Sequence, residues 1–160
     1  MPDALPPAAL LDRLHAALGP RGLLTDPADL APCLSDWRGL YRGAALALAR
    51  PGDAAEVAAT VRGGATPDET GRHLILSLSR LNRIRDLDPL DMTMTAEAGV
   101  VLKTAQDAAA AAGCLFPLSL GAEGTATIGG VLSTNAGGNT TVRYGNARDL
   151  MLGLEVVLPD

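Results

Sequence analysis

Aromatic side chains are scarce in this sequence: of 160 residues, one is Trp, two are Tyr and one is Phe. So small a set leaves little on which successive bases could stack. A net charge of −5 also removes the basic surface that a nucleic-acid partner requires. Apolar runs are short and interrupted, so no transmembrane helix is expected. No basic segment followed by an apolar one opens the chain, so no signal peptide is expected and the location expected is cytoplasmic. The two cysteines, Cys33 and Cys114, match no metal or redox spacing and are expected as buried free thiols. His15 and His73 lie away from any carboxylate or cysteine cluster, which leaves neither a metal site nor a general base in view.

Familiar catalytic signatures are missing too. The dinucleotide fingerprint is absent, no Lys-Ser/Thr pair follows the glycines at 124–130, and there is no Gly-x-Ser-x-Gly elbow.

What is present is a chain 48% hydrophobic with mean hydropathy +0.19, which reads as one globular domain. Leu10, Leu11, Leu14, Ala17 and Leu18 fall on one stripe at helical spacing, and Gly19-Pro20 ends that helix. Asp26 is an N-cap with Pro27 in the first helical position. Residues 44–49 predict a buried strand, and Asp53 with Glu56 makes a capping-box-like start for a helix over 54–62. A further strand is predicted over 74–78, then a turn at 86–91 marked by Asp88-Pro89. Arg80, Arg83 and Arg85 read as a solvated charged face or as phosphate contacts. The acidic Asp86, Asp88 and Asp91 that follow favour the first reading. Residues 92–96 alternate like a half-buried strand, 101–112 read as a helix closed by Gly113, and 150–158 read as a strand through Val156 and Val157.

One stretch, 117–138, is unlike the rest. Glycines stand at 121, 124, 129, 130, 137 and 138, and Ile128, Val131 and Leu132 are the only large apolar residues from 121 onward. Each glycine costs backbone entropy on folding. Such a run makes sense where backbone must approach something flat or charged, with amides and short hydroxyls as donors. A long flexible surface loop is the competing reading. The spacing of Ile128, Val131 and Leu132 speaks against it, because it buries one side of a short helical turn.

Several separated blocks, taken in order, resemble one known family. They are Pro117, Gly121, Gly124-Thr125, Ile128-Gly129-Gly130, Thr134-Asn135-Ala136-Gly137-Gly138, Arg143-Tyr144-Gly145 and Gly153 through Val156 to Leu158. The Ser77 to Ile84 run and Glu97-Ala98-Gly99-Val100 match as well. The family is that of FAD-linked oxidases with a p-cresol methylhydroxylase-type FAD domain. Within it the chain looks most like bacterial 2-hydroxyacid dehydrogenases: the glycolate oxidase FAD subunit, D-lactate dehydrogenase and D-2-hydroxyglutarate dehydrogenase.

The resemblance implies an α+β fold of two small α/β subdomains, incomplete here, with a helical lead-in over 1–40 and the FAD domain over 41–160. It also implies a strand and a glycine-rich Asn-Thr-Gly turn around the FAD pyrophosphate after about residue 62. Of that turn only Gly63-Gly64-Ala65 has a counterpart, so an internal deletion is expected. The implied cofactor is FAD, bound non-covalently, since the family's attachment residues have no match. Its contacts would be the named positions from Pro117 to Gly138 with Gly145, the hydroxyls of Thr125 and Thr134 included, while a strand at Val156 would hold the adenine side. The implied substrate is a small 2-hydroxy acid, oxidised to the 2-oxo acid by hydride transfer to flavin. No catalytic residue carries over, because the family's substrate-binding residues belong to a domain this sequence does not contain. A non-catalytic remnant or a partner subunit, associating through a sheet edge cut at the C-terminus, is the alternative.

Overall fold

Leucines at helical spacing begin the fold. In a computed structural model, which describes residues 7–35, 42–61, 70–71 and 73–158, helix α1 spans Pro7–Leu18. It buries Leu14 and Leu18, while Leu10 and Leu11 pack at the margin of the same core. Each fully buried leucine contributes about 1.5–3 kcal/mol relative to exposure. Ala17, expected on that stripe, is exposed. Gly19 then takes φ +65°, the left-handed conformation that closes a helix.

The chain divides into two compact units, Met1–Arg80 with Val156–Asp160, and Leu81–Glu155. In the first, strand β1 (Leu23–Leu24) pairs antiparallel with β2 (Ala47–Ala49), and β2 pairs parallel with β3 (Leu74–Leu76). The register sets Leu23 opposite Ala49 and Ala49 opposite Leu76. Helix α2 (Pro27–Leu30) is capped by Asp26, whose carboxylate accepts from Ala28 N at 2.8 Å. Helix α3 (Ala54–Val61) makes the crossover between β2 and β3 and lies against α1. Asp53 caps it through Glu56 N at 2.8 Å, and the Glu56 carboxylate reaches back to Gly52 N at 2.7 Å. Thr60, buried, donates its hydroxyl to the Glu56 carbonyl. The expected deletion after residue 62, with Gly63-Gly64-Ala65, lies outside the described residues, as does Trp37 of the lead-in.

The second unit opens with a hairpin. Strand β4 (Ile84–Asp88) pairs with β5 (Thr93–Ala96), and a bulge makes Arg85 the extra residue between the Ile84–Ala96 and Asp86–Thr95 pairs. The reversal falls at 89–92, later than the sequence suggests, because the Asp88 carboxylate ties back Leu90 N and Asp91 N. Helix α4 (Leu102–Ala111) follows, ended by Gly113 at φ +76°. Then come α5 (Ile128–Thr134) and the single turn α6 (Thr141–Tyr144), with a 3₁₀ turn over Ala147–Leu150.

Two expectations fail. Residues 151–158 form no strand, and Leu152, Leu154, Val156 and Leu158 are largely exposed. An alternating apolar segment needs a neighbouring strand to bond to, and among the described residues none pairs with it. The cysteines are free but not buried: Cys33 is exposed on a 3₁₀ turn, and Cys114 is half-buried just after Gly113.

Arg83 and Arg85 lie on a solvated face, as the sequence favours, and both pair there with the buried Glu97 rather than serving as phosphate contacts. The Glu97 side chain is 1% exposed and accepts from Arg83 Nη2 at 3.0 Å and Arg85 Nε at 3.2 Å. The Arg83 backbone N–H donates to its other oxygen at 2.8 Å. Burial pushes this carboxyl up, but the hydrogen bonds from Arg83 and Arg85 outweigh it, and the result lies below the ordinary 4.5. A carboxyl lowered on folding adds stability that is complete above its unfolded value and is lost as pH falls through the folded one. The melting temperature is therefore expected to drop as the pH is taken below 4.5. Glu97→Gln should flatten that dependence and cost about 1–3 kcal/mol at neutral pH through lost hydrogen bonds. Thermal melts by circular dichroism across this pH range check both, and an unchanged profile in the variant would refute the assignment.

Candidate functional site

The glycine-rich stretch is held by backbone rather than by side chains. Val101, the residue before α4, has no side chain able to cap a helix. The first amides of α4 donate instead to the turn at 121–126: Leu102 N to Ala126 O at 2.8 Å and Lys103 N to Glu123 O at 2.9 Å. Helix α5 returns the arrangement. Ile128 N and Gly129 N donate to the carbonyls of Val100 and Ala98, both at 2.8 Å. Gly130 N donates to the hydroxyl of Thr127, the N-cap. Gln106, on α4, binds the Leu118 carbonyl and the Glu123 carboxylate with its amide nitrogen. Beneath lie Leu102, Leu118, Val131 and Ala147, with Ile128 and Leu132 packed on them, as their spacing predicts.

The far end of α5 is closed by residues with no helical signature. Asn135 adopts φ +51° as C-cap, and its side-chain oxygen accepts from Arg148 N at 3.1 Å. The Arg148 guanidinium donates to the carbonyls of Leu132 at 2.9 Å and Ser133 at 2.7 Å. Sequence reasoning passes over Arg148, because nothing local links it to acceptors about 15 residues earlier. The Thr140 hydroxyl donates to Pro117 O, and Ala147 N to Ala136 O.

The glycines separate into two kinds. A Cβ on Gly138 would overlap the Ser119 carbonyl, and one on Gly137 would overlap the Asn146 side chain. Gly129 abuts Ala98, and Gly145, at φ +81°, abuts Asp149. These are packing glycines. Around Gly121 and Gly124, by contrast, a Cβ would meet nothing within 4 Å. Their amides donate to no protein acceptor among the described residues.

Gly121, Gly124, Thr125, Gly130, Thr134 and Gly137 are exposed, whereas Pro117, Ile128, Gly129, Asn135, Ala136, Gly138 and Gly145 are half-buried. The Thr125 and Thr134 hydroxyls donate within the chain, to Ala122 O and Gly130 O. Pro117 also borders a groove of about 250 Å³ with Lys103, Gln106, Phe116 and Thr140. Val156 belongs to the first unit, 61% exposed and outside any strand, so the expected adenine-side strand is not formed.

The surface at Gly121 and Gly124 fits a flat group, since bare backbone lies open there. As an anion cradle it is weaker than the sequence suggests. The amides of Ile128, Gly129 and Gly130 at the start of α5 are already committed within the protein. Gly138→Ala should destabilise the chain by about 1–3 kcal/mol or more, as overpacking does. Gly121→Ala and Gly124→Ala should leave the melting temperature unchanged. Parallel thermal melts of the three variants check this, and equal losses in all three would mean the two kinds of glycine do not differ.

Comparison with known proteins assigns the family and the fold. Residues 45–160 match the family described as FAD binding domain. The D-2-hydroxyglutarate dehydrogenase of Xanthomonas citri pv. viticola is 38% identical over 161 residues, covering 90% of this chain and 34% of that protein. The chain thus spans about a third of that relative's length. Among solved structures, an alkyldihydroxyacetonephosphate synthase superposes with a TM-score of 0.74 at 18% identity, over 89% of this chain and 34% of its own. p-Cresol methylhydroxylase does so with a TM-score of 0.64 at 18% identity, over 81% of this chain and 29% of its own. The chain belongs to the FAD-binding domain family, its α+β fold is of the p-cresol methylhydroxylase type, and FAD is the cofactor of its domain.

Proposed function

We propose that this chain is the flavin-holding part of an oxidoreductase that converts a 2-hydroxy acid to the 2-oxo acid. The open, hydrogen-bond-locked backbone at Gly121 and Gly124 carries the reading, because a flat ring can rest there without meeting a side chain. FAD, when bound, supplies the acceptor for the substrate hydride. The residues of this chain orient it. Gly121 and Gly124 offer bare backbone and free amides, and Thr125 and Thr134 offer hydroxyl oxygens that can still accept a hydrogen bond. Gly130 and Thr134, four apart on α5, share one exposed face of small groups. Pro117, Ile128, Gly129, Asn135, Ala136, Gly138 and Gly145 keep this surface in place by packing and backbone bonds. Non-covalent attachment follows from the lack of a matching attachment residue. The dehydrogenase relative supports a hydroxy-acid substrate.

A second reading, a domain that keeps the fold but holds flavin weakly, is favoured by the committed amides of α5. The exposed Leu152, Leu154, Val156 and Leu158 also support an apolar segment, rather than the expected sheet edge, through which the chain associates with a partner or with itself.

Visible absorbance of the purified chain, after FAD is added and the excess removed, separates the two readings. A retained flavin spectrum is expected, with retention reduced at least tenfold in Gly124→Val. A colourless but folded wild-type chain would leave only the second reading.

A further inference from the structure

The first unit gathers positive charge into one concavity, although the chain as a whole carries −5. A pocket of about 450 Å³ is lined by Pro20, Arg21, Leu24, Arg50 and Arg80. Its position follows from the sheet. Arg50 is the residue directly after β2, and Arg80 comes four residues after β3 ends, so both leave the carboxyl ends of two parallel strands. β1 runs antiparallel to β2 with Leu23 opposite Ala49, which brings Pro20 and Arg21, just before β1, to the same end. The crevice beyond the carboxyl ends of parallel strands is where open α/β sheets bind ligands.

Among the described residues the cations there are not balanced. Arg80 is paired with Glu56 at 3.3 Å. No carboxylate among the described residues lies within ion-pair distance of Arg21 or Arg50, and Arg50 Nε reaches only the Ser79 hydroxyl, at 3.3 Å. The pocket wall therefore holds three guanidinium groups against one carboxylate. Like charges drawn into one concavity repel, and a surface built only for solubility would spread them apart.

One of the arginines is held by its guanidinium and a second by its backbone. Arg50 N donates to Gly22 O at 2.7 Å, and Arg80 Nη1 donates to Arg50 O at 2.7 Å. Gly52 lies against this group, and a Cβ there would stand 2.7 Å from Arg80 Nη2 and push the guanidinium aside. Ser77 and Ser79, whose hydroxyls lie 3.1 Å apart, add donors at the end of β3.

We infer that this pocket is a binding site for a phosphate-bearing ligand, with Arg21 and Arg50 as its charge contacts and Arg80 as the group that fixes its floor. Planar guanidinium forks match phosphate oxygens in pairs, and two uncompensated cations match a dianion. The inference does not rest on the flavin reading, because the pocket lies wholly within the first unit.

Isothermal titration of the full chain with inorganic diphosphate at low ionic strength tests it. Saturable binding is expected, at least tenfold weaker in Arg21→Gln and in Arg50→Gln and weakened by added salt. Arg13→Gln, an exposed cation on α1 outside the pocket, should bind as the unaltered chain does. Circular dichroism confirms folding of each variant, and Arg50→Lys, which keeps the charge without the fork, should fall between the two. Displacement of diphosphate by FAD would identify the ligand as a nucleotide phosphate, and failure to displace it a free phosphoanion. No saturable binding, binding by Arg21→Gln and Arg50→Gln as tight as that of the unaltered chain, or an equal loss in Arg13→Gln would each overturn the site.

Discussion

Four backbone hydrogen bonds exchanged between the turns at 98–100 and 121–126 and the helices that follow them hold the second unit in register. Leu102 and Lys103 donate into the later turn, and Ile128 and Gly129 donate into the earlier one. Each helix start would otherwise leave amides without partners, and burying them so is costly. The exchange removes that cost for both helices at once and fixes the path of 121–126. Gly121 and Gly124 are thereby presented as open backbone on a rigid support rather than as part of a loose loop.

The same exchange decides what the glycine-rich stretch can do. Amides committed to Val100 and Ala98 are not available to a phosphate, so the start of α5 provides surface and shape more than anion binding. Positive charge concentrates elsewhere, at the carboxyl ends of β2 and β3, where Arg21 and Arg50 have no acid partner among the described residues. Arg83 and Arg85, closer in sequence to the glycines, are taken up by Glu97. Three neighbouring arginines thus divide between two roles. Arg80 closes a pocket floor, while the other two neutralise a buried carboxylate.

Much of the framework is legible in the amino-acid sequence. The leucine stripe of α1, the Asp26 cap, the Asp53 start of α3, the alanine-rich α4 and the turn of helix at Ile128, Val131 and Leu132 all form where periodicity and capping place them. These signals are local, carried by residues within one or two helical turns. The candidate site is legible only as a set of positions. A run of glycines shows that backbone must approach something, but not whether the neighbour is the chain itself, as at Gly138, or open space, as at Gly121.

The helices, the parallel crossover unit and the family follow from sequence, because each rests on short-range patterns or on motifs in fixed order. Which glycines pack and which stand open was settled in three dimensions, since that depends on atoms such as the Ser119 carbonyl, far along the chain from Gly138. Folding likewise joined Arg148 to α5 and Glu97 to Arg83 and Arg85. It also left 151–158 without a strand partner despite a favourable pattern. A strand, unlike a helix, cannot satisfy its own backbone, so its existence is settled by what lies beside it.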